Sequence, residues 1–125
     1  MSAFAWAAPG YELEHWACRH PRAHVVRCSG ELDLQAAPEL RELLCRLIEL
    51  GESNLVVDLT GATFIDSTTI GVLSGRLRQA YAAGGKLVLV CTGQFILRTL
   101  EIAGMGRVFE VYPELAEALA AGRQG

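Results

Sequence analysis

Two apolar runs without polar alternation constrain this chain more than any other feature: Leu55-Val56-Val57-Asp58-Leu59 and Lys86-Leu87-Val88-Leu89-Val90-Cys91. A strand with one wet face alternates apolar and polar residues, so such runs, bounded by turn residues, predict strands covered on both faces. Between them Ile70, Leu73, Leu77 and Tyr81 recur at helical spacing, and Gly84-Gly85 stops the pattern. Strand, helix and strand in this order predict a right-handed parallel crossover. That crossover places Asp58 and Asp66 together at the carboxyl end of the sheet, the rim where α/β proteins gather ligands and partners.

The flanking sequence supplies the other elements. Tyr11 to Arg19 mixes apolar and charged residues at near-alternate positions, His20-Pro21-Arg22-Ala23 reads as a turn, and His24-Val25-Val26-Arg27-Cys28 returns, which predicts a hairpin. Gly30-Glu31-Leu32-Asp33 ends the second strand. Pro38 suits a first helical turn, with Leu40, Leu43, Leu44, Leu47 and Ile48 on one apolar face and Gly51 as the stop. Phe95, Ile96, Leu97, Leu100 and Ile102 predict a short helix ending near Gly104, Val108 to Tyr112 an extended run, and Pro113 the start of a terminal helix over Glu114 to Ala120. The first ten residues, closed by Pro9-Gly10, read as a flexible extension. The expected organisation is thus one α/β domain over 11–121 with a tail at 122–125. Its mixed sheet has about four to five strands, with about four helices packed against it.

The stretch that carries function is Phe64-Ile65-Asp66-Ser67-Thr68-Thr69-Ile70-Gly71-Val72-Leu73. Apolar residues give way to short oxygen-bearing side chains just where the helical spacing begins, as at a helix N-terminus. Asp66 or Ser67 serves as the cap for the unsatisfied N–H groups of the first turn, with Thr68 and Thr69 in that turn. The face through Ser67, Gly71, Ser74 and Arg78, with Gly75 beside it, is nearly free of bulk. Each helical glycine costs about 1 kcal/mol relative to alanine, so two imply a close approach, either to the sheet or to another protein. Asp33 is a second candidate, alternatively a turn or cap carboxylate before the next helix.

These residues resemble the anti-sigma factor antagonists of the STAS domain group, in which a strand, a short loop and an Asp-Ser-Ser/Thr-Gly sequence open a helix. The Gly30-Glu31-Leu32-Asp33 sequence, Gly84-Gly85 and Gly104-Met105-Gly106 extend the resemblance over about Tyr11 to Leu119. The resemblance implies that Ser67 is a phosphoacceptor. It further implies an ATP-binding anti-sigma factor that doubles as the serine kinase, and a phosphoserine phosphatase that reverses the modification. The partner-binding set is then Asp33, Asp66, Ser67, Thr68, Gly71, Ser74 and Arg78, with Asp58 adding to the negative charge of the rim. One departure is Thr69, where the family usually has glycine. The alternative is a constitutive interaction domain of the same fold, attached to a transporter or signalling scaffold, with Ser67 only a helix cap.

Other chemistries fit poorly. At 125 residues with 51 % hydrophobic and 20 % charged residues, the chain suits one well-filled core. Its net charge of −3, with dispersed basic residues, argues against direct nucleic-acid binding. Cys18, Cys28, Cys45 and Cys91 lack paired spacing and read as buried thiols in a reducing cytoplasm. His15, His20 and His24 lack accompanying ligands, so no metal or cofactor is expected. No run approaches the ~18 apolar residues of a membrane span, and Ala3 to Ala8 lacks the basic leader of a signal peptide. Gly85-Lys86 fails as a phosphate loop because its lysine enters a strand. Ser74 lacks a nucleophile-elbow glycine, and an aspartate-phosphorylated receiver would need an adjacent acidic pair for Mg²⁺. The expected protein is a cytoplasmic binding module, not an enzyme.

Overall fold

The computed structural model describes residues 4–19 and 21–122. His20 of the expected turn, residues 1–3 and the tail residues 123–125 lie outside the described residues. The elements are β1 (Phe4–Ala8), β2 (Tyr11–Arg19), β3 (Arg22–Leu32), α1 (Ala37–Glu49), β4 (Asn54–Ile65), α2 (Ser67–Ala82), β5 (Lys86–Val90), α3 (Gln94–Ile102), β6 (Val111–Tyr112) and α4 (Leu115–Gly122). The strands form one mixed sheet in the order β1-β2-β3-β4-β5-β6, antiparallel through β3 and parallel from there on.

The α/β class and the crossover through α2 are as the sequence predicts, and the sheet has six strands where about four to five were expected. The additional strand is β1. The sequence predicts a flexible extension there, but Phe4–Ala8 folds back through Pro9-Gly10 and pairs with Tyr11 to His15. The hairpin is anchored from its side chains as well, since Trp6 Nε1 donates to the Tyr11 hydroxyl at 3.1 Å.

Both faces of the parallel strands are covered, which explains their unbroken apolar sequence. Leu55, Val57 and Leu59 of β4, with Leu87 and Leu89 of β5, join Leu40, Leu44, Leu73, Ile96 and Leu100 in the main core. On the other face Val25, Val56, Val88 and Val90 pack with Ala118 of α4. Three helices thus cover one side and one the other. Cys28 and Cys91 are buried free thiols, and burial raises both, Cys28 well above the ordinary thiol range; Cys18 and Cys45 are only partly buried.

Asp58 is not at the carboxyl end of the sheet. β4 continues past it to Ile65, because β3 runs beside it and supplies backbone partners as far as the Leu32–Ile65 pair. Only 2 % exposed, Asp58 takes hydrogen bonds from Arg27 Nε at 3.1 Å and from the Thr60 amide and hydroxyl at 2.9 and 2.7 Å. The carboxylate is therefore fully occupied inside the fold and adds no charge to the rim.

A histidine pair lies beneath α1. His15 Nε2 is 2.7 Å from His24 Nδ1, and His24 Nε2 is 3.0 Å from Glu52, which also holds Arg22 at 2.8 Å. Glu39, Glu42 and Arg46 of α1 line the cavity that His15 faces. Burial, and then the neighbouring His24, lower the His15 pKa below its ordinary value. The unfolded chain therefore binds this proton more readily than the folded one, so the contribution of this group is fully present above about pH 6.5 and stability is lost as pH drops below it. Thermal melts between about pH 7.5 and 5.5 should show that loss, and a His15→Gln chain should show a flatter profile.

Candidate functional site

The carboxyl ends of β3 and β4 meet at the Leu32–Ile65 pair, and the two candidate segments start immediately beyond it. Asp66 is extended, with φ −116° and ψ 178°, and its Oδ1 accepts a hydrogen bond from the Thr69 amide at 3.0 Å. Asp66 is the cap. Ser67 is the first helical residue and, like Thr68, is exposed.

Thr69, the position occupied by glycine in the family pattern, is 0 % exposed. Its hydroxyl donates to the Leu32 carbonyl at 2.7 Å and ties the start of α2 to the end of β3. The added side chain thus turns inward and leaves the approach to Ser67 open. Replacing Thr69 by valine keeps the shape but leaves the buried carbonyl without this donor. A loss of about 1–3 kcal/mol is expected in denaturant unfolding, with Thr69→Ser close to the native chain.

Asp33 follows Leu32, so the same bond fixes its turn relative to Ser67. Its Oδ1 accepts from the Gln35 amide at 2.9 Å, and its carbonyl accepts from the Ala36 and Ala37 amides at 3.1 and 3.0 Å. The turn role is therefore real, and it holds the carboxylate beside the rim.

The outward face of α2 is open. A Cβ on Gly71 or Gly75 would meet nothing within 4 Å, so internal packing does not require either glycine. Arg78 is exposed, but Ser74 departs from expectation: it is 6 % exposed and receives a hydrogen bond from Arg78 Nη1 at 3.3 Å. Helical geometry turns position 74 toward the body, so Arg78 covers it and Ser74 presents nothing to a partner.

Two exposed apolar residues, one in the turn after β3 and one in the first turn of α3, were not among the candidate site residues. Leu34, one residue past Asp33, is 68 % exposed, and Phe95 is 53 % exposed with its ring centroid 5.8 Å from that of Phe64. Phe95 lies in the short helix that the sequence predicts, and of the apolar residues there only Ile96 and Leu100 are buried. Their spacing of four was the signal, since it leaves Phe95 off the buried face.

The cap separates two single changes. Asp66→Ala should cost about 0.5–2 kcal/mol as a lost cap. Ser67→Ala should stay within about 0.5 kcal/mol of the native chain, as for a surface substitution, and paired urea titrations read both.

The fold and the site together define a small α/β module whose accessible feature is a polar helix start at a sheet rim. The STAS domain model matches residues 17–118. The chain belongs to the STAS domain family. It is 33 % identical over 86 residues to an anti-sigma-B factor antagonist of Bacillus subtilis, covering 69 % of this chain and 78 % of that one. An anti-sigma F factor antagonist of Paenibacillus polymyxa is 28 % identical over 109 residues, 86 % of this chain and 90 % of that protein. Among solved structures, an anti-sigma factor antagonist from Mycobacterium paratuberculosis superposes with a TM-score of 0.82 at 26 % identity, over 94 % of this chain and 99 % of that one. Among the described residues no helix is long and apolar enough to cross a membrane.

Proposed function

We propose that this domain is an anti-sigma factor antagonist switched by phosphorylation at Ser67. In the unmodified state, the Asp33 turn and the helix start at Asp66, Ser67 and Thr68 dock on an ATP-binding anti-sigma factor. Gly71 and Arg78 extend the contact along α2, and Leu34 and Phe95 add apolar surface beside it. That partner is also the serine kinase, and docking frees a sigma factor for transcription in the cytoplasm. A phosphoserine phosphatase restores the binding form.

The observation that carries this reading is the division of labour at the helix start. Asp66 caps, Thr69 braces from within, and Ser67 is left exposed at the first helical position. The relatives support it, since they carry the name of anti-sigma factor antagonist. The switch follows from charge: a phosphate brings about −1.5 to −2, which helix N–H groups accept, while the added bulk and the nearby Asp33 and Asp66 oppose a docked partner.

The test is affinity capture from the source organism's lysate with wild-type and Ser67→Asp baits. The expected result is an ATP-binding, kinase-like protein held by wild type and lost by the aspartate form. Equal retention of transporter or scaffold components by both baits would instead establish a constitutive adaptor.

A further inference from the structure

The sheet has two outer strands among the described residues, and they differ in kind. β6 is two residues long, whereas β1 offers five residues, Phe4-Ala5-Trp6-Ala7-Ala8. Natural edge strands are usually blunted by charges, prolines or bulges. Within β1 there is no charged residue and no proline, and its register with β2 is unbroken.

The register also fixes which backbone groups face outward. Ala8 and Tyr11 flank the two-residue Pro9-Gly10 turn, so this pair exchanges backbone hydrogen bonds across the hairpin. Alternation makes Trp6 and Leu13 the next such pair, which leaves the N–H and C=O groups of Ala5 and Ala7 pointing away from β2. Those groups lie symmetrically about Trp6, the middle residue of the strand.

We propose that β1 pairs antiparallel with β1 of a second copy of this chain, about a two-fold axis at Trp6. Ala5 of one copy then faces Ala7 of the other, and all their outward donors and acceptors are matched. Trp6 faces Trp6 at a non-hydrogen-bonded position, where opposed side chains come closest. Trp6 is 41 % exposed, so its ring has surface to contribute. A second copy suits the edge because the strand is its own complement when inverted and brings no like charges together. The two-residue β6 cannot accept β1 in head-to-tail growth, so pairing closes at two chains. A five-residue strand covers less than the roughly 1,000 Å² of a stable interface, which makes the dimer weak and concentration-dependent. The Ser67 helix follows β4, three places across the sheet, so dimerisation leaves the rim free.

Sedimentation of the full chain from about 1 µM to about 1 mM reads the association. Wild type is expected to move from the mass of one chain toward that of two. Ala7→Pro, which removes only an outward N–H, should remain a monomer with an unchanged circular dichroism spectrum. A second measurement tests the register without relying on that variant. In an equimolar mixture of Ala5→Cys and Ala7→Cys chains under mild oxidation, the mixed disulfide should dominate both self-disulfides, with oxidised wild type as the control for the native thiols. A wild type that stays monomeric throughout, or cross-links without preference for the mixed pair, would overturn the proposal.

Discussion

Replacing Gly30 by alanine is expected to cost this domain about 4 kcal/mol, from a single methyl group. Gly30 has φ +87°, a left-handed conformation that costs an L-residue about 1–2 kcal/mol. A Cβ there would also collide with the Gly10 carbonyl oxygen and lie 3.0 Å from the Tyr11 Cα. Both neighbours are backbone, so relief requires the β1–β2 turn to move, an overpacking cost of about 1–3 kcal/mol. The same movement strains the 2.7 Å bond from the Glu31 amide to the Gly10 carbonyl, worth about 1 kcal/mol. For a domain of this size the total lowers the melting temperature by roughly 15 °C. Gly51 provides the control: its φ is +86°, but a Cβ would meet nothing within 4 Å. Gly51→Ala should therefore show only the conformational part, about 1–2 kcal/mol. Calorimetry of the two variants separates close approach from backbone conformation, and equal losses would refute the account of Gly30.

Phosphorylation of Ser67 is expected to weaken partner binding about a hundredfold, or ~3 kcal/mol, while leaving the fold intact. The asymmetry follows from position. At the first residue of α2 the phosphate meets unsatisfied N–H groups and the positive end of the helix, which favours it by about 0.3–1 kcal/mol. Ser67 is exposed, so the group enters water and not the core. In the complex the same group must lose water against a partner surface, next to Asp33 and Asp66. Isothermal titration of unmodified and Ser67-phosphorylated protein against the purified anti-sigma factor measures the difference, and thermal melts of both forms check the fold. Equal affinities would remove Ser67 as the switch.

Much of the architecture was legible because the deciding interactions are local in sequence. The spacing of Leu40, Leu44, Leu47 and Ile48 defines α1, and the unbroken runs around Val56 and Val88 announce buried parallel strands. The helix start at Asp66 was equally readable, since its cap residues and its apolar period sit within a few positions of each other. β1 escaped notice because alanines carry no strand signal. Phe4–Ala8 is a strand only because Tyr11 to His15 lie beside it.

The sequence by itself determined the α/β class, the crossover through α2 and the polar helix start, all through periodicities that a chain expresses within one or two turns. Tertiary structure alone decided which oxygen-bearing residue does what there. Asp66 and Ser67 were equal candidates for the cap until backbone geometry gave that bond to Asp66. Thr69 became an internal brace only because Leu32, distant in sequence, offers a carbonyl 2.7 Å away. Asp58 left the rim because β3 carries β4 onward to Ile65, and Ser74 left the docking face because Arg78 folds over it. The cap bond of Asp66 is local, but for Thr69, Asp58 and Ser74 the deciding partner lies on another strand or the next helical turn, where burial and hydrogen bonding, not residue type, fix the role of a polar side chain.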